Sequence, residues 1–257
     1  MKALELYLTA EKIMKGDYGK NKSQLYNVAH CLTMLGYNTK SVQFLEAGRK
    51  LYKEDDDILT FHIDNWLAKN YMDLGQFKRA KNLLNKCHEK AVLNSDDRSA
   101  MGIVLHNIGV VHQLIGDCNA GIGYLDKSLE FCEEGSQLYF ETIYRKARCY
   151  FDLKYYVACD NLVVLGKKQA KGSEIFTLLF ESLRFCMSPN DLASDKYVRE
   201  AIEYLLKSYR HLDALFLSEF FRKYYEGKSL RFEKRGLRMS DFTRKVYAKM
   251  LERGDFE

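Results

Sequence analysis

The chain holds a single proline, Pro189, among its 257 residues. Because proline removes a backbone N–H and interrupts helices, its scarcity leaves long stretches free to form helix. The chain also lacks any run of about 18 apolar residues, which excludes an ordinary membrane-spanning helix. It begins Met-Lys-Ala-Leu-Glu, without the apolar core or cleavage site of a secretory signal. We therefore expect a helical protein of the cytoplasm that makes no membrane contact.

Several site signatures are missing as well. The seven cysteines are odd in number and include no CxxC pair, which argues against a disulfide framework and against a zinc site. Cys87 and Cys159 instead serve as compact apolar groups. The six histidines form no HExxH, and the chain has no Gly-rich phosphate loop, GxSxG elbow or paired catalytic carboxylates. We predict a protein that is not an enzyme and holds no metal and no cofactor.

Positive charge is concentrated at one end of the chain. The formal net charge is +5, but residues 221–253 contain eleven Lys or Arg against four Asp or Glu, a net +7. This end is either a solvated basic cap on the last helices or a contact surface for nucleic acid or an acidic partner. A nucleic-acid contact would involve Arg231, Arg235 and Arg238.

What the chain does contain is a repeat with a period near 40. The turn residues of four consecutive blocks are Gly36, Gly75, Gly116 and Lys154. Seven residues before each turn stands a small side chain: Ala29, Ala68, Gly109 and Ala147. Each turn is also followed by a small side chain after five residues, a bulky aliphatic one after nine and another small one after twelve. In the four blocks these are Ser41, Leu45 and Gly48; Ala80, Leu84 and Cys87; Gly121, Leu125 and Ser128; Cys159, Val163 and Gly166. Such self-similarity is typical of a solenoid.

Each block has the pattern of two antiparallel helices around the turn. Leu67, Tyr71 and Leu74 recur at helical spacing before Gly75, and the glycine supplies the left-handed conformation that ends a helix. We predict an all-α, right-handed superhelical solenoid of about six helix pairs. It forms one domain over residues 1–257, with regular repeats in 23–170 and looser repeats with the basic cap in 171–257.

The start of the chain fits the second half of a repeat. Ala3, Tyr7 and Ala10 have second-helix spacing, so residues 1–20 are predicted to form an orphan second helix of a truncated repeat. An orphan helix leaves apolar surface uncovered, which solenoids avoid with a capping element. Either further residues precede Met1 in the natural protein, or another molecule covers this end.

The turn sequences resemble those of the tetratricopeptide repeat. Leu74-Gly75-Gln76-Phe77 matches its pattern of a Leu-Gly turn followed by an aromatic, and Leu35-Gly36 and Ile115-Gly116 also fit. The chain departs from the pattern in three places, where an aromatic or a glycine is usual: Asn38, Cys118 and Lys154. The resemblance implies a tetratricopeptide-like solenoid with helices longer than usual.

The long repeats and the Tyr- and Lys-rich texture are similar to the bacterial peptide-pheromone receptors, a group that includes Rap phosphatases and helix-turn-helix quorum-sensing regulators. The segment 232–236, followed by 242–247, resembles their last repeat. In that group the solenoid binds a short signalling peptide on its concave face, and an N-terminal element supplies the output. The resemblance therefore implies a peptide-binding sensor, with DNA as a partner only through a missing N-terminal domain.

Side chains ten, nine and six residues before each turn are expected to point into the concave face. The peptide-binding residues predicted from these positions are Asn27, His30, Asn65, Trp66, Lys69, His106, Asn107, Tyr144, Arg145 and Arg148. An Asn carboxamide both donates to and accepts from a peptide main chain, Arg and Lys engage carboxylates, and aromatic rings offer flat surface. The alternative is that these residues are ordinary solvent-facing side chains of a groove. A lone Trp, moreover, often lies in the hydrophobic core.

Other functions stay open at this point. The chain is alternatively a stand-alone adaptor that binds an extended protein segment, or a phosphatase-like regulator of response regulators that would need an N-terminal bundle. Homodimer formation is also left open. The sequence identifies neither the ligand nor the direction of regulation.

Overall fold

A computed structural model of the chain describes residues 22–50, 58–93, 97–170, 172–188, 193–208, 210–226, 241 and 243–248. Within these ranges there is no strand, and the regular elements are α-helices. Eleven of them are α1 Lys22–Met34, α2 Asn38–Lys50, α3 Ile58–Asp73, α4 Phe77–Leu93, α5 Arg98–Leu114, α6 Cys118–Leu129, α7 Gln137–Asp152, α8 Tyr156–Gln169, α9 Glu174–Met187, α10 Ala193–Lys207 and α11 His211–Tyr225. A short helical run follows at 243–248. The all-α prediction is confirmed.

The helices pack as consecutive pairs. Each odd-numbered helix packs against the even-numbered helix that follows it, and each even-numbered helix packs against the next odd one. The odd-numbered helices also contact one another from repeat to repeat, in an unbroken series from α1 to α11. They therefore form one continuous layer. In a curved array, the layer whose helices approach one another most closely is the inner one, so the odd-numbered helices lie on the inner side.

The predicted turns end the first helix of each regular repeat. At each of the four turns the predicted residue is in the left-handed conformation, with φ of 73°, 72°, 86° and 63° for Gly36, Gly75, Gly116 and Lys154. In the third repeat the Gly116 N–H donates to the Gln113 carbonyl at 3.1 Å, and the Asp117 N–H donates to the His112 carbonyl at 2.9 Å. The same pair of bonds recurs at the other three turns and satisfies carbonyls at the helix end. The fourth turn therefore has the same conformation, although its residue is Lys154 and not glycine.

The small residues of the repeat form a seam of close helix contacts, both within a pair and between successive repeats. All of them are buried. In the first repeat the Ser41 hydroxyl donates to the Ala29 carbonyl at 2.8 Å. In the third, a Cβ on Gly109 would lie 2.6 Å from Leu125 Cγ, so only glycine allows this approach. The side-chain size at these positions therefore sets how closely the two helices pack.

Two apolar clusters fill the described part of the chain. One runs from Leu25 to Val111, the other from Phe140 to Val246, and a small cluster around Leu125 lies between them. All seven cysteines are free. Cys87 and Cys159 lie buried in these clusters as predicted, and burial raises the pKa of each thiol to about 12. No helix of the described ranges is both long and apolar enough to cross a membrane.

Several predictions fall outside the described residues. These are the orphan helix of residues 1–20, the segment 232–236, and the basic side chains Arg231, Arg235 and Arg238.

Candidate functional site

Two adjoining cavities follow the inner layer of odd-numbered helices. One, of about 600 Å³, lies between α1, α3, α5, α7 and the start of α11. The other, of about 730 Å³, lies between the end of α1, the helix α3 and the first turns of α7, α9 and α11. We call the two together the groove; the residues that border both cavities are Trp66, Lys69, Asp73, Gln137, Glu141, Arg210, His211 and Leu212. The groove thus spans the first and the last described repeats.

Most of the predicted binding residues border this groove. The six that do so are Asn65, Trp66, Lys69, His106, Asn107 and Arg145. They come from α3, α5 and α7, at the positions ten, nine and six residues before the turn. The repeat spacing therefore identified the inner face of these helices, whereas peptide binding by the six residues stays a prediction.

A pair of side-chain amides bridges α3 and α5 inside the groove. Asn107 Nδ2 donates to Asn65 Oδ1 at 2.8 Å. Asn65 is almost fully buried and Asn107 is half-buried. Since each amide has two donor hydrogens and an acceptor oxygen, this bond leaves Asn107 Oδ1 and the Asn65 amino group available to a ligand main chain.

The α1–α3 end of the groove is aromatic. Trp66 Nε1 donates to the Tyr26 hydroxyl at 3.2 Å, and the His62 and Tyr26 ring centroids lie 6.3 Å apart. His30 packs edge-on behind Trp66, with ring centroids 4.6 Å apart. Burial, helped by the nearby charge of Lys69, lowers the pKa of His30. The surface here is therefore largely aromatic, and its Lys69 forms an ion pair with Asp73 at 3.3 Å.

The α7–α11 end of the groove is charged but internally neutralised. Asp213 forms ion pairs with Arg145 at 3.3 Å and with Arg210 at 2.7 Å, and Arg210 also pairs with Glu141. We call these four residues the ion-pair cluster. Burial alone would raise the pKa of both carboxyl groups, but the facing guanidinium groups hold both pKa values below their usual range. Two cations and two anions therefore cancel within the ion-pair cluster.

The remaining predicted residues lie elsewhere. Tyr144 is buried, donates its hydroxyl to Asp213 at 3.2 Å and packs edge-on against a Phe180 ring. Arg148 is also buried, with its guanidinium carbon 3.3 Å from the centroid of the Phe216 ring. Asn27 is exposed and borders neither cavity. Tyr144 and Arg148 share the inner face of α7, but α11 covers it.

Sequence reasoning missed a fourth inward position, thirteen residues before each turn. Its occupants in α3, α5 and α7 are His62, Ile103 and Glu141, and all three border the groove. This position lies one helical turn before the positions nine and ten residues before the turn. Counting back from those by three or four residues along the same helix face would have identified it. Arg210 and Asp213 were missed because no repeat turn follows them in the regular series.

A buried histidine also borders the groove. The Thr142 hydroxyl donates to the Leu138 carbonyl at 2.6 Å, so its oxygen accepts the contact of 2.9 Å from His106 Nδ1. His106 therefore carries a proton on Nδ1. Burial lowers its pKa to about 4, against a smaller opposing effect of Glu141. Within the described residues, no group of three or more His, Cys, Asp or Glu side chains is arranged to hold a metal ion.

Comparison with known proteins gives a clear result for the fold. No protein-family model and no curated protein sequence matches the chain. A Rap protein complexed with competence and sporulation factor, however, superimposes with a TM-score of 0.80 at 16% identity, over 98% of this chain and 71% of that one. The chain has the fold of the Rap proteins. This confirms the tetratricopeptide-like solenoid that the repeat predicts.

Three further structures agree. The Rap conjugation gene regulator of plasmid pLS20, in complex with the Phr* peptide, gives a TM-score of 0.74 at 14% identity over 98% of this chain and 69% of that one. Aspartyl phosphate phosphatase F from Bacillus subtilis gives 0.72 at 17% identity, over 93% of this chain and 62% of that one. The apo quorum sensor NprR from B. thuringiensis gives 0.63 at 19% identity, over 90% and 65%. The chain spans less than two thirds of the last two proteins.

Proposed function

We propose that this chain is a regulatory peptide sensor whose groove binds a short, extended peptide. The observation that carries the proposal is the Asn65–Asn107 pair, which is preformed at 2.8 Å and has hydrogen-bonding capacity left over within a cavity. A bound main chain needs both a donor and an acceptor at each step, and this pair supplies both without regard to side-chain sequence. We further propose that the sensor belongs to a pheromone-responsive bacterial transcription regulator.

The dimensions of the groove and the solved structures support this proposal. Cavities of about 300–1,000 Å³ are the usual size for small ligands, and both parts of the groove lie in that range. Two of the structures with the same fold are complexes, one with competence and sporulation factor and one with the Phr* peptide.

The two ends of the groove set the ligand chemistry. At the α1–α3 end, the rings of Tyr26, His62 and Trp66 favour an apolar side chain, and Lys69 is already paired with Asp73. At the α7–α11 end, the ion-pair cluster is already balanced, so a ligand gains little from a net charge there. The expected ligand is therefore an extended peptide with at least one bulky apolar residue.

Ligand binding would act by fixing the curvature of the array. The groove is bordered by α1 and α3 on one side and by the start of α11 on the other. A peptide that contacts both sides stabilises the arrangement that brings them together, and this shift in population is passed to whatever the ends of the array contact.

We also propose that the groove is not catalytic. Glu141 and Asp213 are held ionised by guanidinium groups with pKa values below their usual range, which makes them weak bases near neutral pH. His106 has a pKa of about 4 and stays neutral. These three groups lie at the inner face where α5, α7 and α11 meet, and none of the three is tuned for proton transfer at neutral pH.

Fluorescence of Trp66 tests the proposal directly. It is the only tryptophan in the chain and it borders both cavities, so its emission reports on the groove alone. We expect pools of short synthetic peptides to change this emission in a saturable way. Asn107→Ala should weaken the binding of a responding peptide by about tenfold or more, since a buried peptide group then lacks its partner.

The matched control is Asn82→Ala, which removes the same amide from an exposed position on α4. It should leave the affinity unchanged. Equal weakening by both substitutions would rule out the groove as the binding site. If no free peptide pool alters the emission but a protein with an extended segment does, the chain is an adaptor instead.

A further inference from the structure

The outward face of α8 differs from those of α4 and α6. Three, ten and eleven residues after the repeat turn, α8 carries Val157, Val164 and Leu165. In α4 and α6 the same positions hold polar or charged side chains: Lys78, Asn85, Lys86, Asn119, Asp126 and Lys127. Because the repeat position fixes the direction of a side chain, solvent faces these positions in all three helices. Among these three helices, only α8 is apolar at these positions.

These apolar side chains are strongly exposed. Val157 is 78% exposed and Val164 is 58% exposed. Tyr156 and Leu165 extend the surface along the helix, and a hollow of about 330 Å³ beside Val157 continues it to Met187 of α9. We call this surface the α8 stripe. Exposed Asp160 and Asn161 lie between Val157 and Val164, so the stripe combines apolar and polar side chains. Exposed apolar surface bordered by polar residues is typical of a contact with another macromolecule.

Two exposed charges identify what covers the stripe. Asp160 precedes Val164 by four residues and Lys168 follows it by four, and both are exposed. Neither forms an ion pair with another described residue of its own chain. In a two-fold interface residue i contacts j while j contacts i, so opposite charges at equal distances from a central apolar residue are self-complementary. The α8 stripe meets this condition about Val164.

We propose that a second copy of this chain packs on the α8 stripe. The two α8 helices run antiparallel about a two-fold axis at Val164, so that Asp160 of each copy pairs with Lys168 of the other. Val157 then lies one turn further along and contacts the aliphatic stem of that lysine. A single helix face with one adjoining hollow is smaller than the roughly 800 Å² per partner of a stable interface, so the dimer is weak and reversible.

Sedimentation velocity of the full chain at increasing concentration tests the proposal. We expect the wild-type chain to shift from monomer to dimer, and Val164→Lys to stay monomeric at concentrations where the wild type dimerises. Thermal unfolding of Val164→Lys should match that of the wild type, since the side chain is exposed. The control Asn85→Lys places the same charge at the equivalent position of α4 and should leave dimerisation intact. A wild-type chain that stays monomeric throughout, or equal behaviour of the two variants, would overturn the proposal.

A charge exchange tests the antiparallel pairing itself. Asp160→Lys places like charges together twice in the dimer, so its dissociation constant should rise by at least about tenfold. Combining Asp160→Lys with Lys168→Asp restores both pairs and should return dissociation to near the wild-type value. If the combined variant is as weak as, or weaker than, Asp160→Lys alone, the two residues do not meet and the proposed arrangement is wrong.

Discussion

The inner faces of α5 and α7 occupy the same repeat positions but have different surroundings. On α5 the positions ten and nine residues before the turn are His106 and Asn107, and both border the groove. On α7 they are Tyr144 and Arg145; Tyr144 is buried, and Arg145 is engaged by Asp213 of α11. One inner face is thus open to a ligand, whereas the other is largely covered by the chain itself.

The difference arises from contacts between distant parts of the chain. Tyr144 and Asp213, like Glu141 and Arg210, are separated by 69 residues, and their bonds hold the first turn of α11 against α7. The repeat position therefore determines where a side chain points, and the curvature of the array determines whether that side stays open. We expect the covered face to govern stability and the open face to govern binding.

Removing the central carboxylate of the ion-pair cluster should have the largest effect. Asp213→Ala leaves the guanidinium groups of Arg145 and Arg210 with only Glu141 as a counter-charge, and it removes the acceptor of the Tyr144 hydroxyl. Breaking a buried ion pair from one side costs about 3–5 kcal/mol. Urea unfolding should show a loss of that size, and hydrogen exchange should accelerate first in α11.

The control for this substitution is Asp126→Ala. Asp126 pairs with Lys146 at 2.5 Å but is itself about half exposed, so its loss should cost less than about 1 kcal/mol. If both substitutions had the same small effect, α11 would not be held by the ion-pair cluster.

The regular part of the fold was accessible from the sequence, and the covering of α7 was not. Turn positions, seam residues and the inward direction of Asn65, Trp66 and Asn107 follow from spacing alone, because each repeat packs only on its neighbours. The burial of Tyr144 and Arg148 depends on α11, which belongs to the looser region after residue 170 and carries no turn in register with the earlier ones. No local sequence pattern encodes this contact between α7 and the distant α11.

Acid should destabilise the protein through His106. Its pKa of about 4 in the folded state lies below the 6.5 of the unfolded chain, so the unfolded state binds a proton first as the pH falls. Stability is therefore complete above about pH 6.5 and declines toward pH 4, by roughly 3 kcal/mol for this side chain. Unfolding free energies measured across that range should show this slope, and it should diminish in His106→Leu. An unchanged slope in the variant would assign the effect to other groups.

The seam should reject larger side chains in both halves, since Gly109 packs closely on its paired helix α6 and Gly166 packs closely on α9 of the next repeat. A Cβ at Gly109 would lie 2.6 Å from Leu125 Cγ, and one at Gly166 would lie 2.2 Å from the buried Phe180 ring. Alanine at either site should destabilise by about 1–3 kcal/mol through overpacking, reduced by up to about 1 kcal/mol of helix propensity. Gly123→Ala, with nothing within 4 Å, should instead raise the thermal midpoint. Tolerance of alanine at either site would mean that glycine is not required for the close helix contact there.

The smallest effect on stability is expected at the open face. The bond between Asn107 and Asn65 is partly accessible from the groove, so a double-mutant cycle with alanine at both positions should give a coupling of about 0.5–1.5 kcal/mol in unfolding. The same single substitutions should nevertheless impair peptide binding, whereas Asp213→Ala should act mainly on folding. If the amide pair proved as costly to remove as the ion-pair cluster, the open face would be a structural contact, and the division between a binding face and a covered face would fail.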